Sequence, residues 1–192
     1  WSWGYGYLYS VTSSVGSDSV TLRTGFRKTS FADGKVWLND RCIMMHGYAQ
    51  RSTNEWPAVG TDVPAWLSDY TNRLCVEGGG NIYRWMHVTP SKQDIESCDR
   101  VGMMQAMPAG DAERDVEGAR WQHRVSLMRD AIIYNRNTPS IIFYEGGNES
   151  ISRQHMVELR QVRDRWDPNG GRAIGSREML DIEEAEYGGE ML

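Results

Sequence analysis

The sequence predicts an α/β fold, a partial (β/α)8 barrel preceded by a few antiparallel strands, and three observations carry that prediction. First, short apolar runs such as "GNIYRWMH", "MMQAMPAG" and "SIIFYEGGNE" alternate with amphipathic segments from about residue 41 onward. This is the pattern of parallel strands covered by helices. Second, no G-x-G-x-x-G opens a helix after the first strand and no Walker motif is present. Of the two architectures the alternation allows, an open doubly wound sheet and a closed barrel, the missing nucleotide signature favours the barrel. Third, four successive strand ends carry polar groups: His46-Gly47, Arg84 to His87, Pro108 to Asp111, and Asn148-Glu149. Barrel chemistry sits at the C-terminal ends of the strands.

The elements follow in order. "YGYLYSVTS" and "SVTLRTGFR" alternate like strands around a Gly/Ser/Asp turn and read as the end of a β-sandwich, residues 1–29. Two strands with one apolar face do not make an independent domain. "TSFADGKVWLND" carries turn signals at Asp33-Gly34 and Asn39-Asp40. "CIMMHGYA" reads as a buried strand ending in glycine. "VPAWLSDYTNRLCVEG" reads as a helix with Pro64 near its start and Gly78 past its end. "SKQDIESCDRVG" opens with a Ser91 cap and closes at Gly102. Residues 115–136 form a long helix with Trp121, Val125, Met128, Ile132 and Ile133 at helical spacing. "ISRQHMVELRQVRDRW" is the next helix and "RAIGS" the next strand. Residues 178–192 belong to a fifth or sixth strand–helix unit.

Composition narrows the function classes. Hydrophobic residues make up 40% of 192, but no apolar run approaches the length of a membrane helix. A net charge of −5 argues against a nucleic-acid partner, and the basic residues of 120–136 are interleaved with acids as on a solvated helix face. Cys42, Cys75 and Cys98 lack metal-ligand spacing and read as buried thiols. No His/Cys/Asp cluster has metal-ligand spacing, so no metal site and no cofactor are expected. Eight tryptophans and nine tyrosines fit stacking on sugar rings, although core packing accounts for most aromatics in most proteins. Trp56, Trp85 and Tyr144 are the candidate platforms, with core packing the competing assignment.

One stretch, "SIIFYEGGNES" at 140–150, raises the chemical question, because an apolar strand ends in Gly-Gly and then presents an amide beside a carboxylate. The expectation is that the glycines turn the backbone at the barrel mouth and that Glu149 is displayed there. "GFR" at 25–27, "DGKVWLND" at 33–40, "GNIYRWMH" at 80–87, "CDRVGM" at 98–103, "RDAIIYNRNTPSIIFY" at 129–144 and "GNE" at 147–149 stand in the order seen in glycoside hydrolase family 2. The chain resembles that family of β-galactosidases, β-glucuronidases and β-mannosidases over nearly its whole length. The resemblance implies the last strands of an immunoglobulin-like sandwich over 1–29 and the first part of the catalytic barrel over 30–192, with its last strands missing. It implies a retaining exo-acting β-glycosidase, first β-galactosidase-like, with β-glucuronidase or β-mannosidase as alternatives. A non-catalytic carbohydrate-binding relative is the rival from another class.

In the family pattern Glu149 matches the acid/base that protonates the leaving oxygen. Asn148 matches the amide on the sugar 2-hydroxyl, Arg84 a rim arginine that orients carboxylates, and His87 a histidine lining the sugar pocket. Some positions depart from the pattern: Thr138 replaces a histidine, Tyr144-Glu145-Gly146-Gly147 replaces a tryptophan-containing run, and Arg51 stands where a histidine is frequent. His46 is assigned to structure. Asp111 and Glu113 are read as a helix-start cap over rim groups. "AEYGG" at 185–189 resembles a nucleophile run, but only about 37 residues separate Glu186 from Glu149. The nucleophile is therefore expected beyond Leu192, with none of Glu178, Glu186 and Glu190 facing Glu149.

Overall fold

The computed structural model describes residues 1–54, 56–110, 113–149 and 151–189. Strands β1 (Tyr9–Val15) and β2 (Asp18–Thr24) pair antiparallel as a two-stranded, largely exposed hairpin. Strands β3 (Thr29–Ala32), β4 (Lys35–Leu38) and β5 (Arg41–Ile43) form a small antiparallel sheet. Its two turns are those the sequence signals. Asp33 and Gly34 take φ of 53° and 67°, and Asn39 and Asp40 take 51° and 65°. Positive φ at both central residues matches the right-handed twist of the flanking strands.

The remaining strands form one parallel sheet, β6 (Gly47–Gln50), β7 (Ile82–Trp85), β8 (Met104–Pro108), β9 (Ile141–Gly147), β10 (Ala173–Ser176) and β11 (Tyr187–Gly188), each beside its neighbours in sequence. Helices α1 (Ala65–Glu77), α2 (Lys92–Val101), α3 (Gly118–Asn135) and α4 (Arg153–Trp166) connect β6 through β10. The sheet curls as half of a barrel, so the α/β expectation and the order of its elements stand. Helix α2 begins at Ser91, whose hydroxyl accepts the Asp94 N–H, and ends at Gly102 with φ 83°. Strands β8 and β9 are buried along their whole length, as central parallel strands covered on both faces should be.

Alternation along the strands, interrupted in β9 by an irregularity between Ile141 and Phe143, sorts the side chains. Tyr144, Met107, Ile141 and Ile174 face α3 and α4, where Trp121, Met128, Ile132, Met156 and Leu159 complete a core. Met104, Ala106, Phe143 and Ala173 face the inside of the curl, where the β3–β5 sheet covers them with Phe31, Val36 and Leu38. Between that small sheet and the curl lies a cavity of about 560 Å³, reached by Arg84 and Glu145. Arg27 fastens this end, donating to the Pro139, Ile141 and Gly170 carbonyls at 2.6, 2.7 and 3.1 Å.

Four expectations need correction. The run "CIMMHGYA" is not one strand: residues 41–43 belong to the small sheet, and the barrel strand starts at Gly47. His46-Gly47 therefore lies at the N-terminal end of β6, and the rim position there is Gln50-Arg51. Gly146 and Gly147 do not turn the chain, because β9 continues through both and neither has positive φ. A Cβ on Gly146 would stand 2.9 Å from Met156 Cε and 3.0 Å from Leu159 Cδ1, so this glycine lets α4 lie close against β9. Cys42 is exposed, whereas Cys98 is buried. The long helix begins at Gly118 with Glu117 as its N-cap, so Glu113 is not the cap.

Asp99, in the last turn of α2, ties the sheet to the helices. Its buried Oδ1 accepts the Ser140 N–H at 3.0 Å and hydroxyl at 2.6 Å. Burial pushes its carboxyl up to about 7, with the Ser140 hydrogen bonds opposing. A folded-state pKa above the unfolded one adds stability below the unfolded pKa, and that stability is lost as pH rises through the folded pKa. Asp99→Asn keeps the acceptor and removes the charge. Urea unfolding should therefore show the variant gaining about 1–3 kcal/mol at pH 8 relative to pH 5. An unchanged pH dependence would refute the buried charge.

Candidate active site

The C-terminal ends of β7 and β9 carry the polar cluster. Arg84 sits on the inward face of β7, and Glu145 on the inward face of β9 two strands away. Register places Arg84 beside Ala106, and Ala106 beside Phe143. The small alanine side chain between them leaves room for the guanidinium to span β8. Arg84 Nε donates to Glu145 Oε2 at 2.7 Å, and Nη2 donates to Glu145 Oε1 at 2.5 Å and to Asn148 Oδ1 at 2.8 Å. The Glu145 side chain is 1% exposed and that of Arg84 18%. Burial pushes the Glu145 carboxyl up to about 7, against the pull of Arg84.

Asn148 is buried just past β9, and its amide also donates to Glu113 Oε1 at 3.2 Å. Glu113 Oε2 lies 3.2 Å from His87 Nε2, two residues past β7. Burial lowers the His87 pKa, assisted by Arg84 and opposed by Glu113. The His87 Nδ1 is buried and has no hydrogen-bond partner among the described residues. Thus Arg84, Asn148 and His87 are brought together, and Glu113 joins them as a rim group. Asp111 and Glu190 lie outside the described residues.

Glu149 follows Asn148 and is half-exposed. Arg114 Nε approaches its Oε2 at 3.2 Å and Arg177 Nη1 its Oε1 at 3.6 Å. Its backbone is held by the loop before α3: Glu149 N donates to Glu113 O at 2.9 Å, and Asp115 N donates to Glu149 O at 3.2 Å. Glu186 points elsewhere. It precedes β11, at the opposite end of the strands, where Arg163 grips it with two 2.7 Å bonds and Ile174 N donates to it at 2.9 Å. Trp85 and Tyr144 are core residues, the first donating to Gln105 and the second to Asp167. Trp56 is exposed beside Thr71.

Sequence reasoning missed Glu145 and Arg177, and it assigned Glu113 to a helix cap over the rim position it takes. The signal for Glu145 was available in the alternation: Ile82/Arg84 and Phe143/Glu145 each place an apolar and a charged residue on the same strand face.

No family model matches the chain. It is 36% identical over 183 residues to a β-glucuronidase of Formosa agariphila, covering 92% of this chain and 19% of that protein. It is 24% identical over 170 residues to a β-galactosidase of Arthrobacter sp. (strain B7), covering 83% and 17%. A solved β-glucuronidase from glycoside hydrolase family 2 superposes on it with a TM-score of 0.85 at 34% identity, covering 96% of this chain and 20% of that one. The chain thus spans about a fifth of the length of the relatives it matches.

Proposed function

The chain is a homologue of glycoside hydrolase family 2 enzymes over nearly its whole length, and from that premise we propose that it supplies the acid/base side of a retaining β-glycosidase active site. The observation that carries this reading is the linked rim cluster, in which Arg84 Nη2 bonds Asn148 Oδ1 at 2.8 Å beside Glu149. In the proposed mechanism Glu149 protonates the glycosidic oxygen as the bond breaks and later deprotonates the incoming water. Asn148, its carbonyl oxygen held by Arg84, turns its amide toward the sugar 2-hydroxyl and binds more tightly as charge develops on the ring. His87 lines the sugar pocket. The nucleophilic carboxylate comes from a strand outside this chain. Residues 1–29 are the end of an immunoglobulin-like sandwich.

The substrate class proposed is a β-linked glycoside carrying a carboxylate, a β-glucuronide ahead of a β-galactoside. The relative that matches at 36% is named a β-glucuronidase. Arg51, just past β6, is exposed, makes no ion pair among the described residues, and acts electrostatically on His87. An exposed guanidinium that acts on His87 suits bidentate binding of a sugar carboxylate. The test is a panel of aryl β-glycosides assayed with the full-length protein that carries this chain and with the 192-residue chain alone. The full-length protein should hydrolyse the glucuronide at least about 10-fold faster in kcat/KM than the galactoside, and the chain alone should hydrolyse neither. A full-length protein inactive on the whole panel would refute the enzymatic reading. Turnover by the chain alone, abolished in Glu186→Gln, would refute the external nucleophile.

A further inference from the structure

A second polar cluster stands behind Glu149, on its backbone side. Loop residues 113–115 run parallel to Asn148-Glu149, with Arg114 and Glu149 paired as a bridge. Asp115, whose N–H donates to the Glu149 carbonyl, is fixed on three sides. Its Oδ1 lies 2.7 Å from His155 Nδ1, its Oδ2 accepts from Ser152 N at 2.9 Å, and its Oδ1 also accepts from Val116 N at 2.9 Å. Burial pushes the Asp115 carboxyl up, but the His155, Ser152 and Val116 hydrogen bonds outweigh it and hold the group below its usual range.

His155 occupies the first turn of α4, and its N–H donates to the capping Ser152 hydroxyl at 3.2 Å. Its ring lies flat on Trp121 of α3, with centroids 3.7 Å apart and planes at 12°. Trp121 Nε1 in turn donates to Glu158 Oε2 at 2.6 Å. Helices α3 and α4 already meet through Trp121, Met128, Ile132, Met156 and Leu159. The Asp115–His155 pair is therefore not what joins the helices. What it adds, together with the Ser152 and Val116 N–H groups, is a fixed position for the loop N–H that Glu149 accepts.

Resting on the acid/base reading of Glu149, we propose that Asp115 and His155, braced by Trp121, are positioning residues that hold Glu149 in register for proton transfer. The pair touches no substrate. Its loss displaces the loop, and with it Glu149, by a fraction of an ångström to about an ångström, a misplacement that costs up to about 100-fold in rate. The loss falls on the step that needs the proton, so it depends on the leaving group and leaves KM nearly unchanged.

The experiment uses the full-length protein as wild type, His155→Leu, His155→Asn and Glu149→Gln, with aryl glycosides of good and poor leaving groups. Thermal midpoints are recorded for each variant. His155→Leu should lower kcat on the poor leaving group about 10- to 100-fold and on the activated one less than about 3-fold. His155→Asn, which restores an N–H donor toward Asp115, should recover most of that loss. Should the leucine variant not fold, Asp115→Asn, of equal size but without the charge, should give the same leaving-group-dependent loss. Equal losses on both substrates, or full activity in a folded His155→Leu, would overturn the positioning role while the leaving-group signature of Glu149→Gln persists. Absence of that signature in Glu149→Gln would instead remove the acid/base reading, and this role with it.

Discussion

Arg84→Leu should destabilise the fold and disable the site together. The Glu145 carboxylate is 1% exposed, and its two hydrogen bonds from Arg84 compensate for that burial. Removing one partner of a buried ion pair leaves an uncompensated charge and typically costs about 3–5 kcal/mol. Glu145 escapes part of that cost by taking up a proton, because burial already pushes its carboxyl to about 7. A raised carboxyl pKa means the folded state keeps its proton at low pH, so the penalty should be small at pH 5 and full at pH 8. Denaturant midpoints at the two pH values measure it. Arg84→Leu/Glu145→Met should recover most of the stability, since apolar replacement of a buried pair is often neutral. Activity should not recover, because Asn148 still loses the donor at its Oδ1. A loss of about 100-fold or more in kcat/KM is expected for both variants. Equal stability of Arg84→Leu and wild type at pH 8 would show that Glu145 does not depend on Arg84.

The fold was legible where local chemistry and tertiary context agree. The Asp33-Gly34 and Asn39-Asp40 turns, the Ser91 cap and the apolar strands β8 and β9 all follow from short-range rules. Gly146-Gly147 was misread because glycine signals both a turn and a close approach, and only the position of Met156 on α4 distinguishes the two. Glu145 received no role from the sequence because its partner is 61 residues away. Its pairing depends on the register of three strands and on the size of Ala106. The first barrel strand was started five residues early, at Cys42 instead of Gly47, because "CIMMHGYA" is apolar enough to hide the break between the small sheet and β6. His155 had no signal at all. Its neighbours Asp115 and Trp121 lie in the segment before β9, and only the packing of α3 on α4 assembles them.

Glu149→Gln carries the other large effect. A positioned general acid contributes about 100- to 10,000-fold. Glutamine keeps the size of the side chain and its capacity to face Arg114 and Arg177 through one oxygen, but it cannot donate a proton to a leaving oxygen. The variant should fold with a thermal midpoint close to wild type, since the side chain is half-exposed. In the full-length protein kcat/KM for an unactivated alkyl or oligosaccharide glycoside should fall by about 1,000-fold or more. His87, paired with Glu113, does not replace it.

The most direct measurement of the central claim is the dependence of the glycosylation rate on leaving-group pKa, in wild type and in Glu149→Gln, by single-turnover kinetics on a series of aryl glycosides. If Glu149 is the acid, the wild type responds weakly to the leaving group. The variant should then respond steeply, approaching the wild-type rate for the most acidic phenols and falling furthest behind for the least acidic. Parallel lines, with the same fractional loss at every leaving group, would contradict the role assigned to Glu149.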